Sequence, residues 1–303
     1  MRAYARPPVA APYLSSPWPS WWGHKVARLP AHGVLIVATD LQGNLEDFRA
    51  LAKIHRKELE AGKDAWLVLC GDLVHGPPDE LTGPDWPDHL GTPYVDRSDE
   101  LVLEYMRYVQ EHDSFCLLGN HEHAHVGGPV VSKFHLDEAA VLEARLGDAR
   151  DRVRAFLSGL PLIAVAPCGI VCTHGAPWAT EPDLDAFENL QYEGHEDVPL
   201  WRMLESGTVG ALLWARGASD LQAEALLAAV HGRPDYGFVM YGHDIVREGY
   251  ETSGARQICV STSFALFDEA KTYLRLELDR EYPDVYALRP GHEILPLHPA
   301  GMR

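Results

Sequence analysis

Short apolar runs rich in branched side chains punctuate the chain at 33 to 39, 65 to 70, 114 to 118, 162 to 173, 237 to 241, 257 to 262 and 272 to 278. Their length and their Gly, Pro and polar boundaries predict strands. Between them, apolar residues recur at helical spacing over Leu45 to Ala61, Asp99 to Glu111, Asp137 to Leu146 and Leu221 to His231, which predicts helices. Early strands alternate with helices, whereas the late strands follow one another directly. This order implies an α/β sandwich with a mixed rather than an all-parallel sheet.

No internal repeat or low-complexity linker divides the chain, so residues 31–303 read as one domain. Residues 1–30, rich in Pro, Ala and Trp, read as an arm laid over it, with the tryptophans packing rather than binding a ligand. The stretch at about 76–99 carries prolines at 77, 78, 84 and 87 and is long for a connection. It reads as a surface insertion, either a wall of a substrate cleft or an excursion without function.

Composition narrows the partners. The formal net charge is -18 with a pI near 5.2, and no Lys- or Arg-rich run tracks a phosphate backbone. Long nucleic acid and anionic membranes are therefore not expected partners. The five cysteines, Cys70, Cys116, Cys168, Cys172 and Cys259, mostly sit in apolar runs, and their odd number argues against a full disulfide framework. They read as reduced core residues, although Cys168 and Cys172 are four apart and weakly suggest a zinc pair. The chain has no apolar segment of roughly 18 residues, and residues 1–30 lack a basic start leading into an apolar core, so a cytoplasmic location is expected.

The candidate chemistry lies at the strand ends. Asp40, Gln42, Gly43 and Asn44 follow the first run, and Gly71, Asp72 and His75 follow the second. The third leads into Gly119-Asn120-His121-Glu122, and later strands lead into Thr173-His174-Gly175 and Tyr241-Gly242-His243-Asp244. A lone His after a strand is more often a turn or core residue. A series of such motifs, most of them beside a glycine that lets backbone approach a ligand, is hard to produce by chance.

Together these motifs resemble those of the calcineurin-like metallophosphoesterase superfamily, over roughly residues 33 to 265, with GNHE the most specific part. Within it the chain is most similar to the phosphoprotein phosphatase branch of serine/threonine phosphatases and diadenosine tetraphosphatases. Asp40 to Phe48 (DLQGNLEDF) resembles that branch's DIHGNLEDL, Leu212 to Ala215 its LLWS, and Gly242-His243-Asp244 its GHT. The resemblance implies an αββα sandwich with mixed central β-sheets and two divalent metal ions, manganese foremost with Fe, Zn or Mg as alternatives. Asp40, position 42 and Asp72 would hold the first, and Asp72, bridging, with Asn120, His174 and His243 the second. Carboxylate, amide oxygen and imidazole suit such ions. It also implies hydrolysis of phosphomonoesters by metal-bound hydroxide, with His121 as proton donor to the leaving group.

Several positions depart from the branch. Gln42 stands where a histidine is usual; it either ligates through its amide oxygen or only hydrogen-bonds the cluster, leaving the first site weak. His75 stands where an aspartate usually orients the catalytic histidine. Two arginines usual in the branch are missing, which leaves Arg216 and then Arg247 as candidate phosphate anchors. His123 and His125 read as solvent-facing. A protein serine/threonine phosphatase is the first expectation and phosphoprotein or nucleotide the expected substrate. The alternatives are a hydrolase of dinucleoside polyphosphates or cyclic phosphodiesters, and a catalytically degenerate binding module.

Overall fold

A computed structural model of the chain describes residues 19–78, 80–81 and 83–299; residues 1 to 18 of the expected arm lie outside the described residues. In chain order the elements are β1 (Val26–Arg28), β2 (Val34–Ala38), α1 (Leu45–Glu60), β3 (Ala65–Leu69), α2 (Ser98–Glu111), β4 (Ser114–Cys116), α3 (Asn120–Val126), α4 (Glu138–Leu146) and α5 (Arg150–Ser158). There follow β5 (Ile163–Ala166), β6 (Ile170–Cys172), α6 (Leu184–Glu188), α7 (Thr208–Trp214), α8 (Asp220–His231), β7 (Phe238–Tyr241), β8 (Tyr250–Ser253), β9 (Gln257–Val260), β10 (Thr272–Glu277) and β11 (Ile294–Pro296).

The strands form two mixed sheets, ordered β11-β10-β2-β3-β4 and β1-β5-β6-β7-β9-β8. β2, β3 and β4 run parallel in the first, as do β6, β7 and β9 in the second. Every residue of β2, β7 and β9 is buried, as expected of central strands covered on both faces. Side chains of both sheets share one apolar core, in which Cys70 lies 3.6 Å from Met240 across the layers. At the strand ends Thr39 ties the sheets together: its N–H donates to Thr262 Oγ1 at 3.0 Å and its hydroxyl to the Val260 carbonyl at 2.8 Å.

All the predicted strands and helices are present. The single run at 162 to 173 is a hairpin, β5 and β6, turning at Gly169 with φ +101°. Residues 26–28 of the expected arm form β1, parallel to β5, while Trp21 packs on Phe115 and Phe156 and the Trp22 indole donates to the Phe156 carbonyl. The proline-rich insertion is anchored by an apolar cluster: Leu90 packs with Phe264 and Ala265, flanked by Trp86 and Tyr94. Among the described residues all five cysteines are free and buried, and no helix is long and apolar enough to cross a membrane.

Candidate metal centre

Parallel neighbouring strands carry their carboxyl ends to one edge, so loops far apart in sequence meet there. Asp40 follows β2, Asp72 follows β3, Asn120 opens α3 after β4, His174 follows β6 and His243 follows β7. The backbone pays locally for aiming these side chains inward. Of the six described non-glycine residues with positive φ, five are Asp40, Gln42, Asp72, His75 and His243, at 39° to 71°. Each such conformation costs on the order of 1–3 kcal/mol and persists only where surrounding structure imposes it. The motif glycines serve close approach: a Cβ at Gly119 would sit 2.3 Å from Asp72 Oδ1, and one at Gly242 2.3 Å from Asp40 Oδ2.

His174 is the hub. Its Nε2 lies 2.9 Å from Asn120 Oδ1, 3.1 Å from His243 Nδ1 and 3.4 Å from Asp72 Oδ1. Its Nδ1 lies 2.7 Å from the Cys70 carbonyl, which only accepts, so the proton resides on Nδ1 and the Nε2 lone pair faces the cluster. Ligating atoms of Asp72, His174 and His243 all lie within 4.8 Å of one another. One carboxylate, one amide oxygen and two imidazoles, all buried, make a donor set that fits a divalent transition metal. Burial raises Asp72 to about 7, and burial followed by repulsion from Asp72 raises Asp40 to about 6. Burial, then His174, keeps His243 well below the ordinary histidine range and hence neutral, as ligation requires.

Glu122 explains the end of GNHE. It is buried, and its carboxylate accepts from the backbone N–H groups of Asp72 and Leu73, both at 2.8 Å, and of Gly119 at 3.0 Å, which clamps the loops after β3 and β4 together.

His121 donates its backbone N–H to Asp72 Oδ1 at 3.2 Å and holds its Nε2 3.8 Å from Asp72 Oδ2. Behind it runs a chain of rings. His121 Nδ1 lies 3.0 Å from His75 Nδ1, His75 Nε2 3.0 Å from His125 Nε2, and His125 Nδ1 3.0 Å from Glu143 Oε1. The Glu143 carboxylate, an acceptor only, sets the direction for neutral rings: His125 donates to Glu143, His75 to His125 and His121 to His75. His121 is thereby left with a bare Nε2 facing the cleft. Burial and the neighbouring His75 keep His121 well below the ordinary histidine range. His123 and His125 are thus buried, not solvent-facing; His123 bonds the Tyr192 carbonyl through Nε2 at 2.7 Å. The sequence signal was available: His121 and His125, four apart on α3, share a face, and both reach His75.

The remaining expected residues divide. Arg216 lines the cleft, an opening of about 270 Å³ that also exposes Asp40, Gln42, Asp72, Asn120, His121 and His243. Its guanidinium donates to the His243 carbonyl at 2.8 Å and to Asp244 at 3.0 Å. Arg247 is outside that lining and reaches the His89 carbonyl of the insertion at 3.5 Å. The described insertion residues do not line the cleft; they buttress it from behind, with the Tyr94 hydroxyl donating to the Gln42 carbonyl at 2.8 Å. Among the cleft residues that lie outside every motif is a lysine. Lys133, on the loop between α3 and α4, donates its ammonium to Gln42 Oε1 at 2.9 Å. Burial lowers it to about 8 against the attraction of Asp72 and Asp40.

The model of the calcineurin-like phosphoesterase family matches residues 33–247, and the chain belongs to that family. Its fold is similar to that of a cold-active protein-tyrosine phosphatase from a psychrophilic Shewanella species, at 13% identity and a TM-score of 0.53 over 84% of this chain and 78% of that one. A protein serine/threonine phosphatase from Saccharomyces cerevisiae aligns at 15% identity and a TM-score of 0.49 over 79% of this chain and 71% of that one. A metallophosphoesterase from Sphaerobacter thermophilus aligns at 15% identity and a TM-score of 0.42, covering 82% and 84%. No curated protein matched the sequence.

Proposed function

We propose that this chain is a metal-dependent phosphoesterase that hydrolyses phosphomonoesters, with a protein serine/threonine phosphatase as the first candidate activity. The observation that carries the reading is the convergence of Asp72, Asn120, His174 and His243 on one point from four separate loops. A divalent ion held there supplies positive charge to the phosphoryl oxygens and acidifies water. Manganese is the first candidate for a set mixing oxygen and imidazole donors, with Fe, Zn and Mg also compatible. The family resemblance implies two ions.

The protein's own groups supply the rest. His121 stands at the cleft with Nε2 free, so it takes up one proton and delivers it to the departing alkoxide, while His75, His125 and Glu143 fix its ring and share the charge. Arg216 offers a guanidinium at the rim for the phosphate or its ester group. The preference for a phosphoprotein over a nucleotide rests on sequence motifs alone. The buried free thiols support a reducing, cytoplasmic setting.

A second reading, a degenerate phosphoesterase that binds rather than hydrolyses, is favoured by Gln42 and by the missing branch arginines. The test is hydrolysis of a generic aryl phosphate by metal-stripped protein resupplied with Mn, Mg, Zn or Fe. We expect turnover with Mn and its loss in Asn120→Ala, by at least about 100-fold given what metal clamping contributes. Folded protein inactive with every ion would favour the binding module instead.

A further inference from the structure

The first metal position in this family's pattern would lie among Asp40, residue 42 and Asp72. Gln42 could serve it only through Oε1, the single ligating atom of an amide. That oxygen accepts from Lys133 Nζ at 2.9 Å, while Gln42 Nε2 donates to Asp72 Oδ2 at 3.4 Å. Both partners fix the same orientation, since an ammonium only donates and a carboxylate only accepts. The amide thus turns its NH2, which cannot bind a cation, toward the carboxylate that two metals would share. The lysine is itself held in place: its ammonium lies 3.5 Å from the centroid of the Phe264 ring, and Phe264 is wedged by the insertion's Leu90. Its charge already faces both buried carboxylates.

We propose that the site is built for one resident metal ion, and that the Lys133 ammonium, oriented by Gln42 and Phe264, replaces the first ion as the second positive group of the phosphate clamp. Two departures then have one cause. A histidine at 42 is dispensable because the position holds a lysine's partner, and the two missing arginines are offset by a cation from the α3–α4 loop. An ammonium carries one charge and three donors, so it can orient phosphate oxygens without acidifying water, which leaves that task to the single metal.

This inference rests on the reading of the cleft as a metal-dependent phosphoesterase site, and its test separates the two. Full-length protein is stripped, loaded with excess Mn, desalted, and measured for bound metal by mass spectrometry and for Mn–Mn coupling by electron paramagnetic resonance. We expect one ion per chain with the spectrum of isolated Mn, and two coupled ions in Gln42→His/Lys133→Ala. Wild-type protein holding two coupled ions overturns the inference and leaves the phosphoesterase reading standing; protein holding none overturns both. A folded double variant that still takes one ion also overturns it. With inorganic phosphate as the probe, calorimetry on Mn-loaded protein should show binding weakened about tenfold or more by Lys133→Ala, the loss of a charge-assisted contact. Unchanged phosphate binding would remove Lys133 from the clamp.

Discussion

At the residue scale, the histidine at 75 changes how His121, the proposed proton donor, is supported. Where an aspartate would touch His121 directly, the negative charge here sits two rings away on Glu143, carried inward by His125 and His75. Glu143→Gln should therefore lower kcat about 10- to 100-fold, the usual effect of losing an orienting partner, with KM little changed. His75→Asp should restore a direct carboxylate and make activity insensitive to Glu143→Gln. Steady-state kinetics of the two single variants and the double variant check this, and equal losses from Glu143→Gln in both backgrounds would refute the chain. Gln42 and His75 were legible as anomalies because they interrupt known patterns. Lys133 and Glu143 were not, since an isolated Lys in a loop and a Glu on a helix look the same whether they face water or a cleft.

At the element scale, α1 is fastened to β10 by a two-toothed ion pair. Arg275 Nε and Nη2 donate to the Glu58 carboxylate at 2.7 and 3.0 Å, and Lys63 adds a contact at 2.9 Å. The hydrogen bonds from Arg275 hold Glu58 at about 2, below its ordinary 4.5. A depressed folded value stabilises fully above the unfolded one and is lost as pH falls through the folded one. Arg275→Ala should thus cost about 1.5–3 kcal/mol at neutral pH, and the deficit should shrink between pH 4.5 and 2. Urea unfolding across that range measures it; a pH-independent deficit would point to lost packing instead. The central strands were readable as continuous apolar runs. The edge strands β1, β8 and β11 were not, because three or four residues with a mixed pattern carry too little periodicity.

At the scale of the whole molecule, the site is where the two sheets are joined, so binding there bears on the stability of both. A ligand that binds only the folded state at about 100 times its Kd adds about 2.7 kcal/mol, which should raise the melting temperature by roughly 5–10 °C. Thermal melts with and without Mn should show this rise, and Asn120→Ala should abolish most of it. The buried Asp47 makes the same connection without metal: it accepts from Ser263, just after β9, and at 2.7 Å each from Lys271 and His298 beside β10 and β11, so three distant segments meet on one carboxylate.

The sequence by itself determined the family and the strand–helix order, and it singled out Asp40, Asp72, Asn120, His121, His174 and His243 as candidates, because each lies beside a strand whose apolar pattern is local. What those residues touch was decided by tertiary structure. Gln42 meets a lysine 91 positions away, and His75 meets rings 46 and 50 positions away on one helix, the second of them His125, which looked solvated. The physical reason is that periodicity reports which face of an element is buried, whereas the partner across a cleft depends on how sheets and loops are stacked, and that stacking leaves no trace in local spacing.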